Sequence, residues 1–559
     1  MPMRRATWFL TAVVAAGPPA VAEELIAHWP LAADAGDVGP AGWHGAPRGG
    51  LQFTRGDDDV RAAAFDGRGA SIDVAATPAL ALGTGDFTLA LQVRLSDERD
   101  DQPGDLASCY DPRQRRGWQL TVKTNAGATF NQANARHLQF GIDQQRDGAW
   151  EDCGRPGGEG SILAFGLAVH RGALYAGVCR PGADDAGRVY RYEGGQEWVD
   201  CGAPDRSNAV MALISFQGSL YAGVGKYRTS GSGLEDSPNT QPGGRIYRYE
   251  GDRRWTDCGG LPGAVAIGAV AEFRGQLYAS SLYAPAGFYR YAGGQQWVDC
   301  GTPDGKRVES LAPFDGDLYA TSYDNGNVYR YDGERWEDCG RVGENTQCYA
   351  FATYEGRLCV STWPSGRVYR LAEPGRWEDM GRLGEELESM GLVVHNGRLL
   401  GGTLPLAEVY QYEADGAWKK MARLDHTPDV KYRRAWTVAE HRGRSFWSAL
   451  PSGRVWSFAA GCTASWDEEF PDGWHQVHAV RRGTRLELWV DGRQVAESVA
   501  FPPRDYDLGA AAPLRIGAGP NASLHGRLRD VKLFRGALPP EQIRTAAAAP
   551  PTDAEGAGR

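Results

Sequence analysis

The stretch Trp150-Glu151-Asp152-Cys153-Gly154 returns six times along the middle of the chain. Four later copies keep its Trp, Asp, Cys and Gly, and the last two carry Met in place of Cys. These copies begin at Trp198, Trp255, Trp297, Trp336, Trp377 and Trp418. A Val-Tyr run usually precedes each copy, and a spacing of roughly 40 residues is typical of repeats that each fold as one small antiparallel sheet. The sequence therefore predicts an array of blade-like β units.

Each repeat also contains an X-Gly pair between two apolar runs, which is typical of a tight hairpin turn. The hairpin glycines are Gly172, Gly218, Gly275, Gly316, Gly356, Gly397 and Gly443. The copy at Trp150 comes before the first hairpin, so we expect it to supply the outer strand of the last repeat and to close a ring. Seven four-stranded blades predict a β-propeller over 146–463. A solenoid is the alternative, but it would need polar end caps instead of a displaced closing strand.

The residues on both sides of the repeats show short alternating strands separated by Gly, Asp and Pro turns. The motifs are Ala64-Phe65-Asp66-Gly67 and Asp86-Phe87-Thr88 before the array, and Gly473-Trp474-His475 and Val490-Asp491-Gly492 after it. Together they resemble the motifs of laminin G-like, concanavalin A-like jelly-roll domains, which follow one another in this order. The resemblance implies that 23–145 and 464–548 form one jelly roll. The predicted fold class is all-β, a jelly-roll β-sandwich split by a seven-bladed β-propeller.

The ends of the chain predict export. Residues 1–22 combine a basic head, a short apolar run and an Ala20-Val21-Ala22 cleavage motif, as in a secretory signal peptide. We therefore expect a secreted or periplasmic protein with no transmembrane segment, since no apolar run is long enough to span a bilayer. Residues 549–559 are expected to be a disordered tail. The net charge of -10 argues against a nucleic-acid partner, because general nucleic-acid binders are basic.

The ten cysteines fall into two groups. Five occupy one repeat position that also accepts Met, so they are predicted to pack as small apolar side chains. The other five are irregular and leave room for disulfides: Cys109, Cys179, Cys348, Cys359 and Cys462. No Cys-x-x-Cys spacing is present, which argues against a zinc site.

Polar side chains are concentrated where the inner strands of the last four repeats begin. The first three repeats carry mostly small or apolar residues there. Loops on the same upper face add aromatic and charged residues. Aromatic rings with arginines and carboxylates on a concave rim suit a sugar polymer, which stacks on rings and accepts charge-assisted hydrogen bonds. The predicted substrate-binding residues are Tyr227, Arg228, Arg307, Glu309, Tyr323, Asn345, Gln347, Trp363, Glu386, Glu388, Arg434 and Trp436.

The leading hypothesis is an exported protein that binds or processes a polysaccharide or other glycan on the propeller's upper face, and the pattern leaves open whether it is an enzyme. One alternative is a polysaccharide lyase that acts on a uronate-containing polymer, with His426, Tyr432 and Arg433 as catalytic residues. Glycoside hydrolysis would need two carboxylates, with Glu309, Glu386 and Glu388 as candidates. A non-enzymatic protein–protein interaction module at the cell surface is the other alternative.

Two further sets of residues have simpler interpretations. The resemblance to jelly-roll domains implies a possible calcium ion near Asp66 and Asp530, although ordinary turn acids would look the same in the sequence. No other cofactor is indicated. His170, His395 and His441 lie in or beside the hairpins and are predicted to be bottom-face residues without a catalytic role.

Overall fold

The computed structural model describes residues 23–509 and 512–548. The predicted signal peptide and C-terminal tail lie outside these residues. Within them nearly all regular structure is β-strand, and α1 (Pro540–Ala548) is the single α-helix. The strands that precede the repeats are β1 (Glu24–Trp29), β2 (Ala46–Arg48), β3 (Gln52–Arg55), β4 (Arg61–Asp66), β5 (Ser71–Val74), β6 (Phe87–Leu95), β7 (Gly104–Asp111), β8 (Arg116–Ala128) and β9 (Asn131–Gln144).

The repeats supply most of the remaining strands. The first half of the array contains β10 (Ala149–Asp152), β11 (Leu163–His170), β12 (Ala173–Cys179), β13 (Arg188–Gly194), β14 (Glu197–Asp200), β15 (Ala209–Phe216), β16 (Ser219–Gly225), β17 (Arg245–Tyr249), β18 (Trp255–Gly260), β19 (Ile267–Phe273), β20 (Gln276–Ser281), β21 (Phe288–Gly293) and β22 (Gln296–Asp299). The second half contains β23 (Leu311–Phe314), β24 (Asp317–Thr321), β25 (Asn327–Tyr331), β26 (Trp336–Arg341), β27 (Gln347–Tyr354), β28 (Arg357–Trp363), β29 (Arg367–Glu373), β30 (Arg376–Arg382), β31 (Glu388–His395), β32 (Arg398–Leu404), β33 (Glu408–Ala414), β34 (Ala417–Arg423), β35 (Arg434–His441), β36 (Arg444–Leu450) and β37 (Val455–Ala459).

The last strands return to the sandwich. They are β38 (Cys462–Trp466), β39 (Trp474–Arg482), β40 (Arg485–Val490), β41 (Arg493–Glu497), β42 (Leu514–Ile516) and β43 (His525–Arg535). One sheet has the order β3-β4-β43-β6-β39-β40-β41, with β1 paired to β43, so strands from before and after the repeats alternate. The other sandwich sheet places β38 on β9 and β42 between β5 and β7. Because the two parts of the chain complete each other's sheets, they share one core around Trp29, Phe87, Trp118 and Phe140.

The structure contains a β-propeller, but the prediction of seven blades is wrong as stated. Five separate four-stranded blades occur among the described residues: β19–β22, β23–β26, β27–β30, β31–β34, and β10 with β35–β37. The first two repeats, β11–β14 and β15–β18, keep the antiparallel order but belong to a 15-stranded sheet shared with the sandwich. The reason is that strand pairing continues from the first repeat to the second and from the second repeat into the sandwich. Ile214 of β15 pairs with Gln132 of β9, and Cys179 of β12 pairs with Ala209 of β15.

The displaced first copy of the repeat is confirmed as the outer strand of the last blade. β10 pairs with β37, from Ala149 opposite Ala459 to Asp152 opposite Trp456. The inner strands of the first and last repeats also pack together, because Leu167 shares a core cluster with Ala439 and Phe446. The ring is therefore closed through the last blade.

The Trp of the repeat links neighbouring outer strands. In the six later copies the indole N–H donates to a main-chain carbonyl of the preceding copy, at 2.7 Å from Trp198 to Cys153 and 2.9 Å from Trp255 to Cys201. The same bond recurs from Trp297, Trp336, Trp377 and Trp418. The Cys or Met position lies beneath these rings in the blade cores. The motif therefore has a structural role, since it packs the blade cores and links neighbouring blades by hydrogen bonds.

The Asp of the repeat has two structural partners. In the fifth repeat one oxygen of Asp379 accepts the Gly381 N–H at 2.8 Å, and the other pairs with Arg367 at 2.6 Å. In the sixth repeat the charges are exchanged, and Lys420 pairs with Glu408. Since the pair survives with its signs reversed, the Asp is explained without a functional role.

All ten cysteines are free thiols, so the irregular cysteines form no disulfide in this structure. Cys109, Cys179, Cys348, Cys359 and Cys462 are buried.

The hairpin turns form the lower face, against which the sandwich packs. Each turn has positive φ at two successive residues, as at Arg171 (47°) and Gly172 (73°), which is the geometry of a two-residue type I′ turn. Main-chain bonds join these turns to the sandwich, for example from Arg274 to the Arg99 carbonyl at 2.9 Å and from Gly356 to the Asn521 carbonyl at 2.7 Å. The predicted bottom-face placement is seen for His395, which is buried and bonded to Glu440 at 2.9 Å.

The β8–β9 hairpin of the sandwich extends into the centre of the propeller. Its tip, Thr129–Phe130, contacts inner strands around the ring. The Val270 N–H donates to the Phe130 carbonyl at 3.1 Å, and the Leu213 N–H donates to Asn131 Oδ1 at 2.8 Å. Further bonds reach the inner strands at Phe165, Ser310, Val394, Thr437 and Glu440. The hairpin therefore fills the lower part of the central channel and satisfies its polar main-chain groups.

Candidate functional site

A cavity of about 510 Å³ lies above the hairpin tip, where the inner strands begin. This volume is within the range of roughly 300–1,000 Å³ that is usual for small-molecule sites. Residues from the repeat array and from the tip of the β8–β9 hairpin converge on it: Phe130, Phe165, Tyr227, Arg228, Ser230, Gly231, Leu282, Tyr283, Arg307, Tyr323, Gln347, Tyr349, Trp363, Leu387, Glu388, Met390, Leu404, Tyr432, Arg434, Trp436 and Leu450. Aromatic rings dominate this lining, and a few charged or amide side chains interrupt it.

The floor of the cavity is aromatic and comes partly from the other module. Phe130, at the tip of the β8–β9 hairpin, meets Trp436 edge-on with ring centres 5.1 Å apart. Phe165 completes this cluster, 6.1 Å from Trp436 and 4.6 Å from Tyr227. Phe130 lines the cavity and is 3% exposed, so the hairpin tip forms part of its floor.

One side of the mouth is formed by the longest loop, between β16 and β17. Its short 3-10 turn, Thr229–Ser232, is tied back by the Tyr227 hydroxyl, which lies 2.7 Å from Ser232 Oγ. Arg434 reaches the same turn from β35 and donates to Ser232 Oγ at 2.8 Å and to the Gly231 carbonyl at 3.1 Å. The first and last parts of the array are thus connected across the mouth.

The opposite wall carries a buried acid. Glu388 is 7% exposed, and its Oε1 lies 2.5 Å from the hydroxyl of Tyr349, which also contacts Gln347 Oε1. Burial raises the pKa of Glu388, and the charge of Arg434 opposes this only in part. The Tyr349 hydroxyl therefore connects Glu388 and Gln347 at the cavity wall. Burial favours the protonated form of Glu388, and both Arg434 and the Tyr349 hydroxyl favour the charged form.

Two other charged residues are arranged in a different way. Arg307 lines the cavity, but Asp324 neutralises it through bonds of 2.8 and 3.1 Å. Glu309 is fully buried, and neither of its carboxylate oxygens has a hydrogen-bond partner among the described residues. Burial raises the pKa of Glu309 well above its ordinary value. Burial therefore favours the uncharged form of Glu309, which does not line the cavity.

The structure brings ten of the predicted site residues to this cavity. They are Tyr227, Arg228, Arg307, Tyr323, Gln347, Trp363, Glu388, Tyr432, Arg434 and Trp436. The others lie elsewhere. Asn345 and Glu386 bond to main-chain groups of turns, Arg433 donates to the Thr427 carbonyl at 2.7 Å, and His426 is exposed in a loop outside the lining. Of the three predicted catalytic residues, Tyr432 alone is at the cavity.

Sequence reasoning missed Phe130, Tyr283 and Phe165 as parts of the site. Tyr283 lies in the loop between β20 and β21, and its ring supports Arg228, whose guanidinium carbon lies 4.6 Å from the ring centre. Phe165 begins an inner strand that looked apolar and therefore unremarkable. Phe130 gave no signal, because its place in the cavity depends on how the two modules dock.

The two acids predicted to lie near calcium have other partners. Asp66 accepts the main-chain N–H groups of Arg68 and Ala70, at 2.8 and 3.3 Å. Asp530 is bridged by His28 at 2.7 Å and Lys532 at 2.8 Å, and hydrogen bonds from these two side chains lower its pKa to about 2 despite burial.

Within the described ranges one group of side chains has a geometry that could hold a metal ion. Glu98, Asp100 and His525 offer ligand atoms within 4.8 Å of one another. This group is on the sandwich, beside its contact with the lower face of the propeller, and is separate from the cavity.

No helix in the described part of the chain is long and apolar enough to cross a membrane. Comparison with curated proteins finds no significant match in sequence.

Solved structures similar to this chain include a β-propeller domain. A catalytically inactive virginiamycin B lyase from Staphylococcus aureus with quinupristin has a TM-score of 0.44 and 9% identity, over 56% of this chain and 99% of that chain. The WD40 β-propeller domain of Doa1 has a TM-score of 0.39 and 11% identity, over 56% and 97%. The GH74 xyloglucanase from Xanthomonas campestris has a TM-score of 0.39 and 16% identity, over 60% and 59%. At these TM-scores the likenesses carry no argument about function.

A family model described as "Concanavalin A-like lectin/glucanases superfamily" matches residues 417–544. The match begins in the propeller at β34 and then covers the sandwich strands β38–β43. These strands complete the sheets begun by β1–β9. The chain therefore joins a β-propeller and a concanavalin A-like domain in one all-β protein.

Proposed function

We propose that this is an exported glycan-recognising protein that binds the end of a glycan chain in the central cavity of the propeller. The observation that carries the proposal is the cavity itself, which is lined by aromatic rings, closed below by Phe130 and interrupted by a few polar groups. Concave sites of this kind use apolar surface for affinity and a few placed polar groups for orientation.

The chemistry of the lining suits a sugar. The rings of Trp363, Tyr432 and Tyr323 provide flat apolar surfaces for the C–H faces of a pyranose. Gln347, Glu388 and Arg434 offer donors and acceptors for ring hydroxyls beside these surfaces. Stacking together with hydrogen bonding at one wall would fix both the depth and the orientation of a bound residue.

The closed floor favours a chain end over the interior of a polymer. Because the β8–β9 hairpin fills the lower channel, a polysaccharide has no exit and cannot thread through the ring. A terminal residue or a short oligosaccharide fits this geometry. Glycan recognition by the sandwich would be additional and is not needed for this proposal.

Titration with a panel of short oligosaccharides tests the proposal, followed by calorimetry and by the fluorescence of the cavity tryptophans. Trp363→Ala should weaken binding of whichever sugar is recognised by about tenfold or more, because a stacking surface is removed. Val298→Ala, an exposed outer-strand change, is the control. Failure of every oligosaccharide in a broad panel to bind would refute the proposal.

A uronate-specific lyase is the second candidate, favoured by the contact between Tyr432 and Arg434. The guanidinium carbon lies 5.6 Å from the ring centre on the cavity wall. Arg434 would neutralise a uronate carboxylate, and Tyr432 would take the proton from C5. The C4–C5 double bond would form as the glycosidic C4–O bond breaks, and the proton would pass from Tyr432 to the departing oxygen. Incubation with uronate oligosaccharides should then give the ultraviolet absorbance of an unsaturated product, and Tyr432→Phe should abolish it. If a uronate oligosaccharide binds but the absorbance does not rise, the protein binds the glycan without cleaving it. Hydrolysis is less favoured, since Glu388 alone among the predicted acids lines the cavity.

A further inference from the structure

We infer that the sugar residue held in the cavity carries an anionic group, a carboxylate or a sulfate ester, which Arg434 and Arg228 bind. This inference rests on the proposed glycan site and names the class of ligand that it selects. Its basis is the charge balance of the cavity lining.

Arg434 and Arg228 have no acidic partner. Among the described residues no carboxylate oxygen lies within the 4.0 Å that defines an ion pair for either guanidinium. Arg307, the third arginine of the lining, is neutralised by Asp324. Glu388 forms no ion pair with either arginine, and its Oε1 is hydrogen-bonded to the Tyr349 hydroxyl. The lining therefore presents two guanidinium groups that have no ion-pair partner among the described residues.

The surroundings make this imbalance informative. The chain as a whole has a net charge of -10. Repeat arginines elsewhere in the propeller are paired with acids, as Arg188 is with Asp200 at 2.8 Å and Arg454 with Asp152 at 2.5 Å. Guanidinium groups without an ion-pair partner in the cavity of an acidic protein attract anionic ligands and disfavour cationic ones.

Both guanidinium groups are held in place. Arg434 uses two of its five N–H donors on Ser232 and Gly231, which leaves donors for a ligand. Arg228 lies over the Tyr283 ring, and the Tyr283 hydroxyl accepts its main-chain N–H at 3.1 Å. A planar fork that is already oriented suits the paired oxygens of a carboxylate or a sulfate.

Matched pairs of oligosaccharides test the inference. Trigalacturonic acid is compared with its fully methyl-esterified form, and a galactose oligosaccharide with one sulfate ester is compared with its desulfated form. The acidic member of at least one pair should bind about tenfold or more tightly, with an affinity that falls as salt is raised. The pair that responds identifies the group as a carboxylate or a sulfate.

Variants connect the preference to the two arginines. Arg434→Gln and Arg228→Gln should reduce the ratio between acidic and neutral forms toward one, whereas Arg433→Gln, outside the cavity, should leave it unchanged. Arg434→Lys keeps the positive charge but lacks the planar guanidinium group. If Arg434→Lys retains part of the preference for acidic ligands that Arg434→Gln loses, the loss in Arg434→Gln does not come from misfolding. Equal binding of both members of each pair would overturn the inference and leave the glycan proposal standing. Absence of binding by all four compounds and by the neutral panel would refute both.

Discussion

Arg434 Nη1 donates to Ser232 Oγ at 2.8 Å, so a side chain from the last inner strand holds the longest loop of the second repeat. The Tyr227 hydroxyl lies 2.7 Å from the same oxygen. This loop is therefore held in place by a residue 202 positions away in the sequence. Any ligand that binds Arg434 must act beside this contact.

Ser232→Ala tests this connection. The change removes the shared partner of Tyr227 and Arg434, and each lost bond should cost about 1 kcal/mol of local stability. We expect faster hydrogen exchange in residues 228–244 and weaker ligand binding, with a small change in global unfolding. Ser219→Ala, at the lower end of the same blade, is the control. Unchanged exchange in the loop would show that other contacts hold it.

Phe130→Ala tests the aromatic floor. Loss of a buried ring that packs against Trp436 should lower the free energy of unfolding by about 3–5 kcal/mol. It should also change the emission of Trp436. Phe130→Leu restores most of the volume and should recover most of the stability. If the Ala variant is as stable as the wild type, the hairpin tip does not support the ring.

Asp379 tests the structural explanation of the repeat motif. Asp379→Ala loses both the Gly381 N–H acceptor and the ion pair with Arg367, and should cost about 1 kcal/mol. Asp379→Asn keeps an acceptor and should cost less. A double-mutant cycle with Arg367→Ala should give a coupling of about 0.2–1 kcal/mol, as for other exposed pairs. Equal losses for Asn and Ala in chemical denaturation would contradict this assignment.

Glu440 should make the hairpin contact sensitive to acid. Its carboxylate is buried between Lys123 of β8, at 2.5 Å, and His395, at 2.9 Å. These partners outweigh burial and lower the pKa of Glu440 from 4.5 to about 2. The stabilisation is therefore complete above pH 4.5 and is lost as the pH falls toward 2.

Glu440→Gln measures this effect. The variant should be less stable at neutral pH by about 3–5 kcal/mol, and its deficit should shrink between pH 4.5 and pH 2. Chemical denaturation across this range is the measurement, with exposed Glu413→Gln as control. A deficit that is constant with pH would show that Glu440 has an ordinary pKa.

Asp101 should act in the opposite direction. Burial, with repulsion from Asp315 and Asp100, raises its pKa from 3.8 to about 8. Stability is then fully present below pH 3.8 and declines as the pH rises through 8. Asp101→Asn should remove this decline and raise the melting temperature relative to the wild type above pH 8. The exposed Asp57→Asn is the control, and parallel melting curves at all pH values would contradict the prediction.

Local patterns account for what the sequence could predict. The hairpin glycines, the Val-Tyr strands and the Trp motif are determined by neighbours in the chain, so the blades and the closing strand at Trp150 followed from spacing. The prediction that the first two repeats form blades separate from the sandwich was wrong. Ile214 pairs with Gln132, and this pairing joins segments from the two modules. His426 and Arg433 were placed by sequence proximity to Tyr432, but the turn that contains them directs them away from the cavity.

The β8–β9 hairpin has a consequence for biosynthesis. Translation produces residues 116–144 before any blade, so the segment that forms the hairpin precedes every inner strand in the order of synthesis. In the folded protein, inner strands around the ring contact the tip of this hairpin. The sandwich sheets can be completed only after β38–β43 have been synthesised. The first module to begin is the last to finish, and its hairpin can serve as a template on which the ring is assembled.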